Sequence, residues 1–213
     1  MTNTKKLSTC AVLIAMAAAL ALVSELIPLQ LPFGGSVTLA SMLPIVLCGY
    51  MFGVKWGLGS AFVFSIIQMI LGAKTVASFF MPGDSQMIWW KAVLVCLIDY
   101  VLAYTVIGFS GLFAGKFKST SAELCLGSVV ALLLRYLCHI VSGAIFFGVW
   151  AEWFFSEAGS FGAWVLSNMS GGTLALFYSV VYNGLYMIPE IILTAILAFV
   201  LPKLMKNQIR PVR

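Results

Sequence analysis

Leu124–Gly148 reads LCLGSVVALLLRYLCHIVSGAIFFG, an apolar run interrupted by one arginine and one histidine. About 20 predominantly apolar residues suffice for a helix to cross a bilayer, so the run is long enough to span. An ionisable group at membrane depth is costly and marks function by default. Arg135 and His139 therefore point to a site as well as to a fold. With Gly143 and Phe147 they recur every four residues, which places all four on one helical stripe. The stripe passes from a cation through an imidazole and a gap to an aromatic ring.

Outward from this stretch, five more apolar segments follow: Thr9–Ile27, Val37–Phe52, Gly57–Leu71, Trp89–Phe113 and Thr173–Leu204. The second and third are short and fit a tight hairpin around Gly53–Gly57. Of the 213 residues, 62% are hydrophobic and 9% charged, with mean hydropathy +1.07. Soluble domains carry about 25% charged residues, and no water-soluble fold hides this much apolar surface. Six spans leave too little chain for a second folded unit. The expected architecture is an all-α membrane protein, a compact bundle of six transmembrane helices formed as one domain over residues 1–213.

Basic residues set the orientation. Six spans put both termini on one side, together with Lys5, Lys6, Lys55, Lys116, Lys118, Lys203, Lys206, Arg210 and Arg213. The other side keeps Lys74 and Lys91 and gathers Asp84, Glu152 and Glu157. This split predicts cytoplasmic termini, and it explains the net charge of +5 without nucleic acid. The N-terminus imitates a secretory leader, but its apolar run continues to Pro28, so it reads as the first span. The cysteines, Cys10, Cys48, Cys96, Cys125 and Cys138, lie in apolar stretches without CxxC spacing. They read as small buried hydrophobes rather than disulfides or metal ligands.

Besides Arg135 and His139, two acids lie at membrane depth: Asp99 in the fourth span and Glu190 in the sixth. Glu25 and Lys91 sit near span ends, where snorkelling suffices. The sixth span adds Tyr178, Tyr182, Asn183 and Tyr186. Together these describe an interhelical pocket with a carboxylate, an imidazole, an amide, phenols and ring faces. A positively charged heteroaromatic ligand suits it through opposite charge, stacking and cation–π attraction, in a mostly apolar lining. Plain structural readings stand beside this one. Asp99 can pair with Arg135, His139 can be an interior residue, Asn183 can join helices, and the fifth-span stripe can be packing. The outer segment Ala151–Gly172 carries Trp153, Phe154, Phe155, Phe161 and Trp164, which fit either a membrane-interface belt or a lid. The first outer loop, Gln30–Ser36, is short and punctuated by Gly and Pro. In the first span Ala11, Ala15 and Ala19 recur every four residues, which suits close helix packing, either within the chain or against a partner.

The order of these segments, with Gly34-Gly-Ser-Val-Thr38, Met42-Leu-Pro-Ile45, Leu97-Ile-Asp-Tyr100, Leu133–His139 continuing through Ser142–Gly148, Tyr178–Asn183 and Tyr186–Pro189, resembles the substrate-binding S components of energy-coupling factor vitamin transporters, in their thiamin-specific branch. The resemblance implies a high-affinity thiamin-binding subunit with its site near the outer face. Asp99 would engage the thiamin rings, while His139, Tyr178 and Asn183 supply ring contacts and hydrogen bonds. Tyr100 would give a hydroxyl contact, Gly143 room, and Phe147 a stacking platform smaller than the tryptophan of other members. Some members have Glu where this chain has Asp99, and some have a tryptophan in the first outer loop, where this chain offers Phe33 and Gly35. Ala11, Ala15 and Ala19 would dock on a transmembrane coupling subunit, and two nucleotide-binding subunits would hydrolyse ATP. No Walker A motif occurs in this chain, so the energy comes from elsewhere. No cofactor is implied. An intramembrane enzyme lacks support: there is one histidine, no HExxH and no GxSxG. The remaining alternatives are an S component for another vitamin or precursor, such as riboflavin or a pyrimidine, and a small secondary transporter.

Overall fold

A computed structural model describes residues 1–26, 37–205 and 209–211, and all of its regular structure is helical. Among the described residues five helices are long and apolar enough to cross a membrane. We number them with the short helix between the first two: α1 Asn3–Leu26, α2 Leu43–Phe52, α3 Val54–Leu71, α4 Trp89–Phe113, α5 Thr120–Phe146 and α6 Gly171–Leu204. The first outer loop, Gln30–Ser36, lies outside the described residues.

The expected second span differs from the structure at its start. Helix begins only at Leu43, with Pro44 in its first turn, where a missing N–H costs nothing. Residues 37–42 approach it as irregular chain, with Ala40 at φ 53°. Irregular backbone at membrane depth is tolerated only inside protein. Accordingly, Thr38 N donates to Glu190 Oε2 at 2.7 Å and Leu39 N donates to Ser24 Oγ at 2.8 Å. These partners come from α6 and α1, which is why apolar composition alone marked a longer span.

α2 and α3 form the expected tight hairpin, turning at Gly53 with φ 88°, a region that favours glycine. α2, α3 and the second half of α4 then pack backbone against backbone. A Cβ on Gly57 would lie 2.5 Å from the Gly108 carbonyl, and one on Gly108 would lie 2.3 Å from Leu58 N. In lipid, where apolar side chains gain little by leaving the solvent, such small-residue contacts let helices join. Ser110 Oγ reinforces the contact by donating to the Val46 carbonyl at 2.9 Å.

α4 is one span in length but not one helix in form. Cys96–Leu102 winds as π-helix and Val106–Phe113 as 3₁₀-helix. The tight half carries Gly108 into the hairpin, and the wide half carries Asp99. α5 starts at an N-cap where Ser119 Oγ accepts from Ala122 N. It packs along α6, and Gly143 marks one crossing: a Cβ there would lie 2.2 Å from Ser179 Oγ.

The aromatic segment between α5 and α6 folds into two short helices, Ala151–Ser156 and Gly159–Asn168. Phe154 and Phe155 are buried with Leu174 and Tyr178 against the start of α6. Phe161 and Trp164 remain about half exposed, as interfacial anchors are.

Candidate functional site

Between α4, α5, α6 and the short helices outside them lies a cavity of about 600 Å³. Asp99, Tyr100, His139, Gly143, Phe147, Tyr178 and Asn183 all line it. The π-helical turn makes two of these placements. Widening the turn brings Asp99, Tyr100 and, five residues after Asp99, Tyr104 to the same cavity. Such turns inside α-helices occur often at functional sites.

The Asp99 carboxylate is fixed on both oxygens. His139 Nδ1 lies 2.9 Å from Oδ1, and Ser142 Oγ donates to Oδ2 at 2.8 Å. A carboxylate accepts only, so the His139 proton belongs on Nδ1 and Nε2 is left as an acceptor. That Nε2 is buried and has no hydrogen-bond partner among the described residues. The carboxylate remains partly open to the cavity, its side chain 18% exposed.

Among the described residues Asp99 does not pair with Arg135. The Arg135 guanidinium sits 4.4 Å from the centre of the Tyr104 ring and donates to its hydroxyl at 3.1 Å. Its Nε is buried without a partner among the described residues. Glu190 lies within electrostatic reach of Arg135, and both its carboxylate oxygens are taken by Thr38, through N and through Oγ1 at 2.8 Å. Of the two acids, Asp99 lines the cavity together with Arg135, and Glu190 does not.

Asn183 works from α6 back to α5. Its amide nitrogen donates to the Ser179 carbonyl at 2.8 Å and to the His139 carbonyl at 3.3 Å, while its oxygen accepts from Tyr186. It is both helix joint and cavity lining. Gly143 likewise serves the helix crossing, since Ser179 fills the space a side chain would need. Ring faces surround the polar groups. Tyr178 and Tyr182 lie 5.4 Å apart, Phe147 meets Phe79 edge-on at 6.0 Å, and the Tyr186 ring meets His139 at 6.1 Å.

The cavity also takes residues the sequence did not single out: Thr75, Ser78, Phe79, Ser85 and Trp150. Most lie in short helices or turns between spans, where no periodicity marks a facing side. Trp153, from the aromatic segment, lines it too. Tyr104 had a trace in its spacing from Asp99, visible only once the turn is known to be π-helical. Ala11, Ala15 and Ala19 lie elsewhere, on the exposed side of α1, whereas Ala17 and Ala21 face the core. The expected stripe is thus not used for packing within the described chain. No group of residues suited to a metal ion occurs among the described residues.

Residues 10–158 match the family described as thiamine transporter protein (Thia_YuaJ). The chain is 32% identical to thiamine transporter ThiT of Bacillus subtilis (strain 168), over 95% of this chain and 94% of that one. Its fold is similar to that of ThiT from Listeria monocytogenes, with TM-score 0.65 and 22% identity over 97% of this chain and 100% of that one.

Proposed function

The chain belongs to the thiamine transporter family, a multi-pass transporter of the bacterial cell membrane rather than an enzyme, and from that premise we propose that it captures thiamin in the cavity around Asp99 as the S component of an energy-coupling factor transporter. The observation that carries this reading is the oriented carboxylate facing the cavity among ring faces. Thiamin has a permanently charged thiazolium ring and a neutral aminopyrimidine. Asp99 supplies the opposite charge, and Phe147, Tyr178 and Tyr182 supply faces for stacking and cation–π contact. His139, held by Asp99, adds its ring to the lining. Because His139 and Ser142 already hold Asp99 in place, little ordering is left to oppose binding. Tyr100, Gly143 and Asn183 complete the proposed contact set.

The basic residues at the termini and at Lys55, Lys116 and Lys118 support cytoplasmic ends under the positive-inside rule, with the cavity opening outward. Trp150 and Trp153 line it, and the aromatic segment that begins at Ala151 would serve as its lid. Ala11, Ala15 and Ala19 form the surface for a transmembrane coupling subunit, whose two ATPase partners supply the energy that this chain cannot.

Titrating the detergent-purified protein with thiamin, with tryptophan fluorescence as readout, tests the assignment. Saturable quenching at micromolar concentration or below is expected. Asp99→Asn should weaken it at least tenfold, about 1.4 kcal/mol. Well-folded protein that binds no thiamin would overturn the assignment of the ligand.

A further inference from the structure

At the end of the molecule opposite the cavity, α1 and α3 run in the same direction and leave a groove of about 410 Å³ between them. Its walls are two matched helical stripes. Cys10, Ala11 and Ile14 stand on α1, and Gly59 and Val63 stand on α3; Ala11 also belongs to the stripe proposed for the coupling subunit, so lipid would fill the groove while that partner is away. Each stripe, followed one turn towards its N-terminus, arrives at a lysine: Lys6 on α1 and Lys55 on α3. Lys55 lines the groove itself, next to the half-buried Trp56. Lys6 is partly buried one turn before Cys10. Neither lysine pairs with an acid among the described residues, and no acidic residue occurs in 1–24 or in 53–83.

The groove is therefore apolar along its length, cationic at one end, and open to the bilayer. From Leu7 to Ile14 it runs about 10 Å, from the helical rise per residue, which lies within the roughly 15 Å of one leaflet's hydrocarbon. Trp56 at the cationic end is the kind of ring that sits at headgroup level. Gly59 keeps the floor clear, since a Cβ there would meet nothing within 4 Å. We propose that this groove binds an anionic phospholipid, one acyl chain lying between α1 and α3 and the phosphate held between Lys6 and Lys55. Basic pockets between transmembrane helices are suited to acidic headgroups, and each wall carries a lysine one turn before its groove residues.

Native mass spectrometry tests this on the full chain, released from detergent after incubation with equal amounts of phosphatidylglycerol and phosphatidylcholine of the same acyl composition. The wild type should retain phosphatidylglycerol preferentially, by about fivefold for each lysine engaged. Lys6→Gln with Lys55→Gln should bring the ratio of the two lipids to near one. Gly59→Leu, which extends into open space, should remove the retained lipid while leaving the melting temperature within a few degrees of wild type. Equal retention by the wild type, or an unchanged ratio in the double variant, would overturn the proposal. So would a wild type that retains neither lipid while Gly59→Leu blocks assembly with a membrane partner, because the groove would then be a protein-docking seam.

Discussion

Glu123 and Asp99 are both carboxylates inside apolar helices, and both have each oxygen hydrogen-bonded, yet the two surroundings differ in kind. Glu123 is 3% exposed. It accepts from Tyr50 at 2.8 Å and from Phe117 N at 2.7 Å. Its donors are a phenol on α2 and the backbone that turns α4 into α5, so it ties three elements together. Asp99 accepts from His139 and Ser142, two side chains on one stripe of α5, and keeps a face on the cavity. The comparison teaches that satisfied hydrogen bonds do not separate an acid that staples helices from one that faces a cavity. What separates them is whether the donors staple the backbone and close the space, or orient the group towards a space left open.

The largest way to break this contrast is at the closed end. Gly108→Val would push a side chain into the backbone of Leu58, 2.3 Å from the first added atom. Overpacking of this kind should cost about 3 kcal/mol and lower the melting temperature in detergent accordingly. Gly59→Ala, in open space, should change stability by no more than about 0.5 kcal/mol. Equal melting of the two variants would show that the glycine contacts do not hold the hairpin to α4.

Glu123→Gln comes next. The amide cannot accept on both sides, and Tyr50 or Phe117 loses a charged acceptor, which should cost about 2 kcal/mol. The thiamin affinity of the folded fraction should stay as in wild type, measured by titration beside the melting curve. Asp99→Asn should do the reverse, losing affinity with little change in melting. If the two variants showed the same pattern, the distinction between the stapling and the presenting acid would fail.

Glu190→Gln should give the smallest effect. The remaining carbonyl can still accept from Thr38 once, so melting should shift by less than about 1 kcal/mol. The chain that follows the first outer loop would be held less firmly beside the cavity that Thr38 lines. Stopped-flow dissociation of thiamin should then be faster than in wild type, with a smaller effect at equilibrium. An unchanged dissociation rate would show that this tether does not govern release.

Much of the site was legible before any coordinates because lipid makes polar residues conspicuous. His139, Asp99 and Asn183 stand out from apolar runs, and the four-residue spacing from Arg135 to Phe147 puts one stripe in view. Glu123 escaped notice because it sits at the first turn of α5, where a charge looks like an ordinary span end. Thr75, Ser78 and Phe79 escaped because polar and aromatic residues between spans are commonplace. The true start of α2 escaped because residues 37–42 are apolar enough to pass as helix, and only the partners offered by Glu190 and Ser24 make irregular chain tolerable there.

By itself the sequence determined that this protein lives in a bilayer, roughly where its helices run, and which few polar residues stand among them. Those properties follow from composition and period, since each residue meets the solvent or its own helix independently of the rest. Tertiary structure alone decided that Asp99 joins His139 and Ser142 rather than Arg135. It also decided that Gly143 makes room for Ser179, and that Ala11, Ala15 and Ala19 face outward while Ala17 and Ala21 face inward. A partner for a charge, or a neighbour for a glycine, depends on how whole helices are rotated and wound, and a single π-helical turn in α4 is enough to change which side chains meet.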